Sequence, residues 1–271
     1  NLANTPRAQN KLTEAEPLQR EALAINRAAL PAGHPHIAIG LNSLGLLLSA
    51  QNKLTEAEPL YREALAINRA ALPVGHPEIA TNLNNLAILL FTQSNFAEAE
   101  SLQREAVEIW RAALPPEHPN IVSGLNSLGL VLHAQNKFAE AEPLLREALE
   151  IRQRSFPVGH IQIAVGFSSL ARVQHALGKT AEARAGLDQA IAIVRDNSPD
   201  GSPDLARLLW RSGKARLENK DLAAANAELE EAVAMAQKFL KPDDKQLAEC
   251  RETLAKCKAV LSGGGVEGSG G

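Results

Sequence analysis

The stretch His76-Pro77-Glu78-Ile79-Ala80-Thr81-Asn82-Leu83-Asn84-Asn85-Leu86-Ala87 decides how this chain folds. Proline directly after His76 suits a helix start, because the first helical position needs no backbone donor. The preceding unit shows the same design: His34-Pro35, then Ile37, Leu41, Leu44, Leu47 and Leu48 at the 3-4 spacing of an amphipathic helix. The pattern keeps a fixed step. His34, His76, His118 and His160 stand 42 residues apart. Lys11, Lys53, Lys137 and Lys179 keep that step, with Asn95 filling the register, and so do Ala15, Ala57, Ala99, Ala141 and Ala183. A constant period of this length marks a repeat array, not a single-core domain.

Within a unit, Gln51-Asn52 ends the first helix, since asparagine tolerates the left-handed conformation of a tight turn; Gly178 holds the equivalent place later. A second helix is expected from Lys53 to Ala71, burying Ala57, Leu60, Tyr61, Ala64, Leu65 and Ile67. Pro59, like Pro17 and Pro143, sits early in this helix, where it removes an internal bond and bends the first turns. Small residues line up where two helices must approach. Gly45, Ala87, Gly129, Ala171 and Gly213 form one row, Ala57, Ala99, Ala141, Ala183 and Ala225 a second, and Ala64, Ala106, Ala148, Ala190 and Ala232 a third.

These rows resemble the tetratricopeptide repeat. Its large-leucine-small signature reads here as Leu41-Leu44-Gly45, Leu83-Leu86-Ala87, Leu125-Leu128-Gly129 and, less well, Phe167-Leu170-Ala171. The 42-residue unit, with His76–Ala87 and Lys137–Ile151 carrying most of the likeness, is similar to the kinesin-light-chain-like branch. The resemblance covers residues 11–195 well and 203–240 loosely. It implies an all-α fold: a right-handed superhelical solenoid of antiparallel helix pairs with a C-terminal capping helix. The expected division is a partial repeat at 1–33, four helix pairs at 34–75, 76–117, 118–159 and 160–196, and a degenerate fifth at 197–242. In that fifth pair Ser212 replaces a leucine and Arg216 an apolar residue. A cap at 243–261, with Leu247, Cys250, Leu254, Cys257 and Leu261 on one stripe, precedes a Gly/Ser-rich tail at 262–271 that is expected to be disordered. Asn1-Leu2-Ala3 aligns with Asn85-Leu86-Ala87, so the sequence is expected to open part-way through a helix pair, with either further repeats upstream or a degenerate first helix.

Composition narrows the function. Net charge is -3, which gives no basic field for nucleic acid. No apolar run reaches the roughly 18 residues that span a membrane, and no secretory pattern opens the sequence. Cys250 and Cys257 lie seven residues apart on one helix, about 10.5 Å at 1.5 Å per residue. They read as packed thiols of a cytoplasmic protein, not as a disulfide or a metal site.

Catalytic chemistry is not expected. Equivalent atoms of successive repeats lie roughly 10 Å apart, so the four histidines cannot share an ion whose ligands sit about 2 Å away. They are expected to organise helix starts. The glutamate pairs Glu56/Glu58, Glu98/Glu100 and Glu140/Glu142 recur and read as a solvated helix face and as partners of the helix N-terminal dipole, since a catalytic pair occurs once. Arg62/Glu63 and its counterparts read as inter-repeat or surface ion pairs of small individual value. No phosphate loop, nucleophile elbow or zinc-binding motif is present, and neither a cofactor nor a metal is expected.

What remains is a surface. In tetratricopeptide arrays the first helices line a concave groove that takes extended peptides. By position the resemblance carries this to Ile39, Asn42, Leu46 and Ser49; Thr81, Asn84, Ile88 and Phe91; Ser123, Asn126, Leu130 and His133; Val165, Ser168, Arg172 and His175; and Arg207, Trp210, Lys214 and Leu217. Asn42, Asn84 and Asn126, with Asn85 alongside, can pair with a peptide backbone. Phe91 and His133 flank that row. Arg172, Arg207, Arg211 and Lys214 gather near Trp210 and suit an acidic peptide or a terminal carboxylate. Two plainer readings stay open: the asparagines bridge adjacent first helices, and the basic residues form an ordinary solvated face of a worn repeat. The expectation is a non-enzymatic scaffold or adaptor for a protein segment. Bacterial tubulin filaments are one partner that the kinesin-light-chain-like likeness suggests. The alternatives are the sensing region of a larger signalling protein or enzyme, and self-association.

Overall fold

In a computed structural model, residues 6–263 are described, with side chains over 11–262. The described residues form helices α1 to α12 and no strand. The fold is an all-α repeat solenoid whose chain divides into two compact units, residues 1–137 and 138–271.

The first unit holds α1 (Pro6–Ala29), α2 (Pro35–Ala50), α3 (Leu54–Ala71), α4 (Pro77–Thr92), α5 (Phe96–Ala113) and α6 (Pro119–Ala134). The second holds α7 (Phe138–Ser155), α8 (Ile161–Ala176), α9 (Thr180–Asn197), α10 (Pro203–Glu218), α11 (Leu222–Phe239) and α12 (Lys245–Gly263). Residues 1–5, and with them the register of Asn1–Ala3, lie outside the described residues, as does the tail beyond residue 263.

The histidines do what a helix start requires. At His34, His76, His118 and His160 the backbone is extended, and each Nδ1 accepts a hydrogen bond from the amide two residues on, at 3.1–3.2 Å. One of the helix's orphan donors is thereby satisfied. At the fifth start Ser202 takes over, accepting from the Leu205 amide at 3.1 Å.

Each first helix ends in a left-handed residue: Asn52, Ser94, Asn136, Gly178 and Lys220, with φ between 61° and 74°. The next amide bonds back five residues, as in Lys53 N–H to Leu48 O at 2.9 Å, which closes the helix and aims the second one.

Packing follows the small-residue rows. Ala57, Ala64, Ala99 and Ala106 in the first unit, and Ala141, Ala148, Ala183, Ala190, Ala225 and Ala232 in the second, are all buried. A Cβ on Gly45 would come within 2.8 Å of the Tyr61 ring, and one on Gly213 within 2.7 Å of Leu229. Of the stripe expected on α3, Ala57, Tyr61, Ala64 and Leu65 are buried, while Leu60 and Ile67 are half-buried. Pro59 is accommodated inside an unbroken helix. On α12, Leu247, Cys250 and Cys257 are buried and Leu254 half-buried, but Leu261 is exposed. Burial raises the Cys250 thiol to about 11, away from thiolate chemistry.

Ion pairs tie successive second helices. Arg20 reaches Glu56 at 3.0 Å, Arg27 reaches Glu63 at 2.6 Å, Arg62 reaches Glu98 at 2.8 Å and Arg69 reaches Glu105 at 2.6 Å. In the second unit Arg195 reaches Glu231 at 2.6 Å.

The glutamate pairs differ from expectation. Side chains of Glu100 and Glu142 are only 13% and 11% exposed, so these two do not belong to a solvated face. Lys137 and Arg104 close on Glu100 at 2.7 and 2.8 Å; Lys179 and Arg146 close on Glu142 at 2.7 and 2.9 Å. Burial raises the Glu100 carboxyl, but hydrogen bonds from Lys137, Arg104 and Gln135 outweigh it and hold the group at about 2. Glu16, bonded by Lys53 and Arg20, is also held at about 2. One step on, Arg184 stands at the glutamate position and Asp221 at the lysine position, 3.7 Å apart. The pair is kept with its signs reversed.

Candidate partner-binding face

Each unit carries its own outward side of the first helices. In the first unit the face carries apolar side chains open to solvent. Ile39 and Leu46 on α2 are 54% and 53% exposed, and Ile88 on α4 is 46% exposed. All three occupy expected groove positions, and Leu130 on α6 is half-buried beside that register. The opposite side of the same helices is solid core, with Leu41, Leu44, Leu83, Leu86 and Leu125 at 3% exposure or less. A 3-4 pattern accounts for that inner stripe, but not for large aliphatic residues repeated on the solvent side.

The asparagine row divides. Asn42 is half-buried and its Nδ2 donates to Oδ1 of Asn82 at 2.7 Å, which joins α2 to α4. Asn84 is buried, its Oδ1 accepting from Nε2 of Gln103 at 3.0 Å; Gln103 also donates to the Gly124 carbonyl at 3.3 Å. Asn42 thus bridges adjacent first helices, the plainer of the two readings, whereas Asn84 is tied to a second helix. Asn85 and Asn126 are half-buried, and Oδ1 of Asn126 has no partner among the described residues. Phe91 meets Phe96, at the start of α5, in a tilted ring contact at 5.6 Å. His133 is half-buried near the end of α6. Asn82 and Gln103 were not anticipated. Their signal was present: Asn82 stands where three of the other four units have glycine, and Gln103 where they have Tyr61, Leu145, Leu187 and Leu229.

In the second unit the face of α8 and α10 is basic. Arg172, Arg207 and Arg211 lie near enough to perturb one another. Nη1 of Arg211 donates to Oγ of Ser168 at 2.9 Å. Burial, then the neighbouring Arg172 and Arg207, lowers the Arg211 guanidinium to about 10. Burial also lowers Arg172, whose Nε has no partner. Arg207 is paired with Asp204. No carboxylate forms an ion pair with Arg172 or Arg211 among the described residues. Trp210 is not at the open centre of this group. Its Nε1 donates to Thr253 on α12 at 2.9 Å, and its ring packs into the core that α12 covers. Lys214 lies over that ring at 5.8 Å. His175 pairs with Glu218 at 2.8 Å.

Substitution of the core in the fifth pair leaves a hollow of about 490 Å³ lined by Thr180, Arg184, Asp188, Ser212, Arg216 and Asp221 among others. Arg216 occupies its edge, bonded to Glu228, Asp221 and Asp188 at 2.8, 3.2 and 3.4 Å. Among the described residues no group of three or more His, Cys, Asp or Glu side chains could hold a metal ion. No described helix is long and apolar enough to cross a membrane.

Comparison with known proteins agrees with this architecture. A family model described as tetratricopeptide repeat matches residues 1–70 and 78–154, and a second of that description matches 164–189. No curated protein sequence matches. Among solved structures, the nearly identical TPR-like repeats ascribed to a Podosopora anserina kinesin light chain are 26% identical, with a TM-score of 0.61 over 72% of this chain and 93% of that one. BtubC (BKLC) from P. vanneervenii is 21% identical, with a TM-score of 0.70 over 88% of this chain and 94% of that one. YrrB, a TPR protein with an unusual peptide-binding site, is 18% identical, with a TM-score of 0.51 over 86% of this chain and 97% of that one. With the family model lying on more than half of its residues, the chain belongs to the tetratricopeptide repeat family and carries repeats like those of kinesin-light-chain-like proteins.

Proposed function

We propose that this chain is a non-enzymatic scaffold that holds an extended segment of a partner protein against the outward face of its first helices. The observation that carries this reading is the apolar stripe Ile39, Leu46 and Ile88, open to solvent at groove positions of consecutive repeats. Exposed aliphatic side chains in register mark a surface that gains by being covered. Asn85 and Asn126 supply amides next to that stripe for a peptide backbone. The basic face of the second unit extends the same reading to an acidic stretch. The YrrB comparison supports peptide binding as a use of this fold. Bacterial tubulin filaments are one partner to test, on the strength of the kinesin-light-chain-like repeats.

The test is a partner screen with the wild-type chain and with the double variant Leu46→Asp, Ile88→Asp. Both side chains are exposed, so the variant is expected to fold. Binding of any true groove partner should fall at least about tenfold, equivalent to 1.4 kcal/mol. Partners whose affinity is unchanged would place the interface elsewhere.

A further inference from the structure

Arg172, Arg207 and Arg211 stand out in a chain whose net charge is -3. On the second helices, by contrast, arginines are spent on ion pairs between repeats: Arg20, Arg27, Arg62, Arg69, Arg146 and Arg195 each meet a glutamate of the next unit. On the face of α8 and α10 the balance differs. Asp204 offsets Arg207 and Glu218 engages His175, while Arg172 and Arg211 lack a carboxylate. Two uncompensated guanidiniums, partly withdrawn from water and repelling each other, are costly unless an anion completes them.

The geometry is that of a fork set. Ser168 fixes Arg211 one helical turn from Arg172, so both guanidiniums share one face; Nε of Arg172 is itself buried without a partner, which leaves the terminal Nη groups to meet an anion. Two unpaired positive charges match a phosphomonoester, which carries about −1.5 to −2 charges and three acceptor oxygens near neutral pH. A carboxylate brings one charge and two oxygens, and would leave one guanidinium unpaired.

We propose that Arg172 and Arg211, with Arg207 beside them, form a binding site for a phosphorylated serine or threonine of the partner segment. The inference rests on the segment-binding reading above, names its chemistry on the second unit, and makes capture conditional on phosphorylation of the partner.

Calorimetry on the full chain tests it, with four probes at matched ionic strength: N-acetyl-phosphoserine amide, N-acetyl-glutamate amide, inorganic phosphate, and a short peptide carrying one phosphoserine. The phosphoserine amide should bind at least about tenfold tighter than the glutamate amide, and the peptide tighter than inorganic phosphate. Arg172→Ala and Arg211→Ala should each abolish the preference, with helix content checked by circular dichroism. Arg211→Lys keeps the charge and loses the fork, so it should lose most of the preference even though its fold is undisturbed. Equal affinity for phosphoserine and glutamate amides would overturn the proposal, as would full binding by the double alanine variant. Inorganic phosphate binding as tightly as the phosphopeptide would overturn it in favour of a free anion. The two readings separate cleanly: Leu46→Asp, Ile88→Asp probes the first unit alone, so loss of either readout without the other identifies which has failed.

Discussion

His118 shows how one side chain sets the register of a repeat. Its Nδ1 accepts from the Asn120 amide at 3.1 Å, and Pro119 follows at the position where no donor is needed. Replacing His118 by alanine removes the cap and should cost about 1 kcal/mol, read as a lower urea midpoint with an unchanged slope. Glu100 makes a second test at this scale. Its folded value of about 2 lies below the usual 4.5, so the ionised form is the one that folding favours. The stabilisation is complete above the unfolded value near 4.3 and is lost as pH falls through about 2. Glu100→Gln should therefore be less stable than wild type at neutral pH, and the gap should close between roughly pH 4.3 and 2. A gap that is constant across that range would assign the effect to packing instead. The histidine caps were legible because four copies of one residue kept one step. The withdrawn position of Glu100 was not, because glutamate in a repeating pair also fits a solvated face, and only the approach of Lys137 from the next turn decides between them.

At the scale of helices, each contact between neighbours is specified by small residues inside and charge pairs outside. The small-residue rows were readable from the sequence, since helix approach demands them at fixed spacing. The sign reversal at Arg184 and Asp221 was missed because it breaks the lysine ladder that defined the repeat. Their 3.7 Å contact shows the ladder preserved in mirror form. Asp221→Lys should destabilise by up to about 1 kcal/mol, since the pair is partly exposed. Adding Arg184→Glu should restore part of that loss in a double-mutant cycle, the remainder belonging to Arg216, which also bonds Asp221 at 3.2 Å. Additive losses would mean that the two charges act independently. The candidate face was partly legible for a related reason. Ile39, Leu46 and Ile88 follow from repeat phase alone, whereas Asn84 and Trp210 share that phase and turn inward, Asn84 toward Gln103 and Trp210 toward Thr253. Phase fixes where a Cα sits; the partner on the adjacent helix decides whether the side chain faces solvent.

Across the whole molecule, the repeats spend their polar chemistry on holding neighbours together and leave two faces unspent, one apolar in the first unit and one basic in the second. A scaffold is the use that such a division supports, because the recurrent histidines and buried glutamates are engaged in helix caps and ion pairs. The most direct test places a photoreactive benzoylphenylalanine at Ile88 on the first-helix face, or at exposed Glu108 on α5, and maps crosslinks from source-cell lysate by mass spectrometry. The account predicts adducts at Ile88 that map to one extended segment of a partner and are absent at Glu108. Adducts confined to Glu108, or equal at both positions, would contradict it.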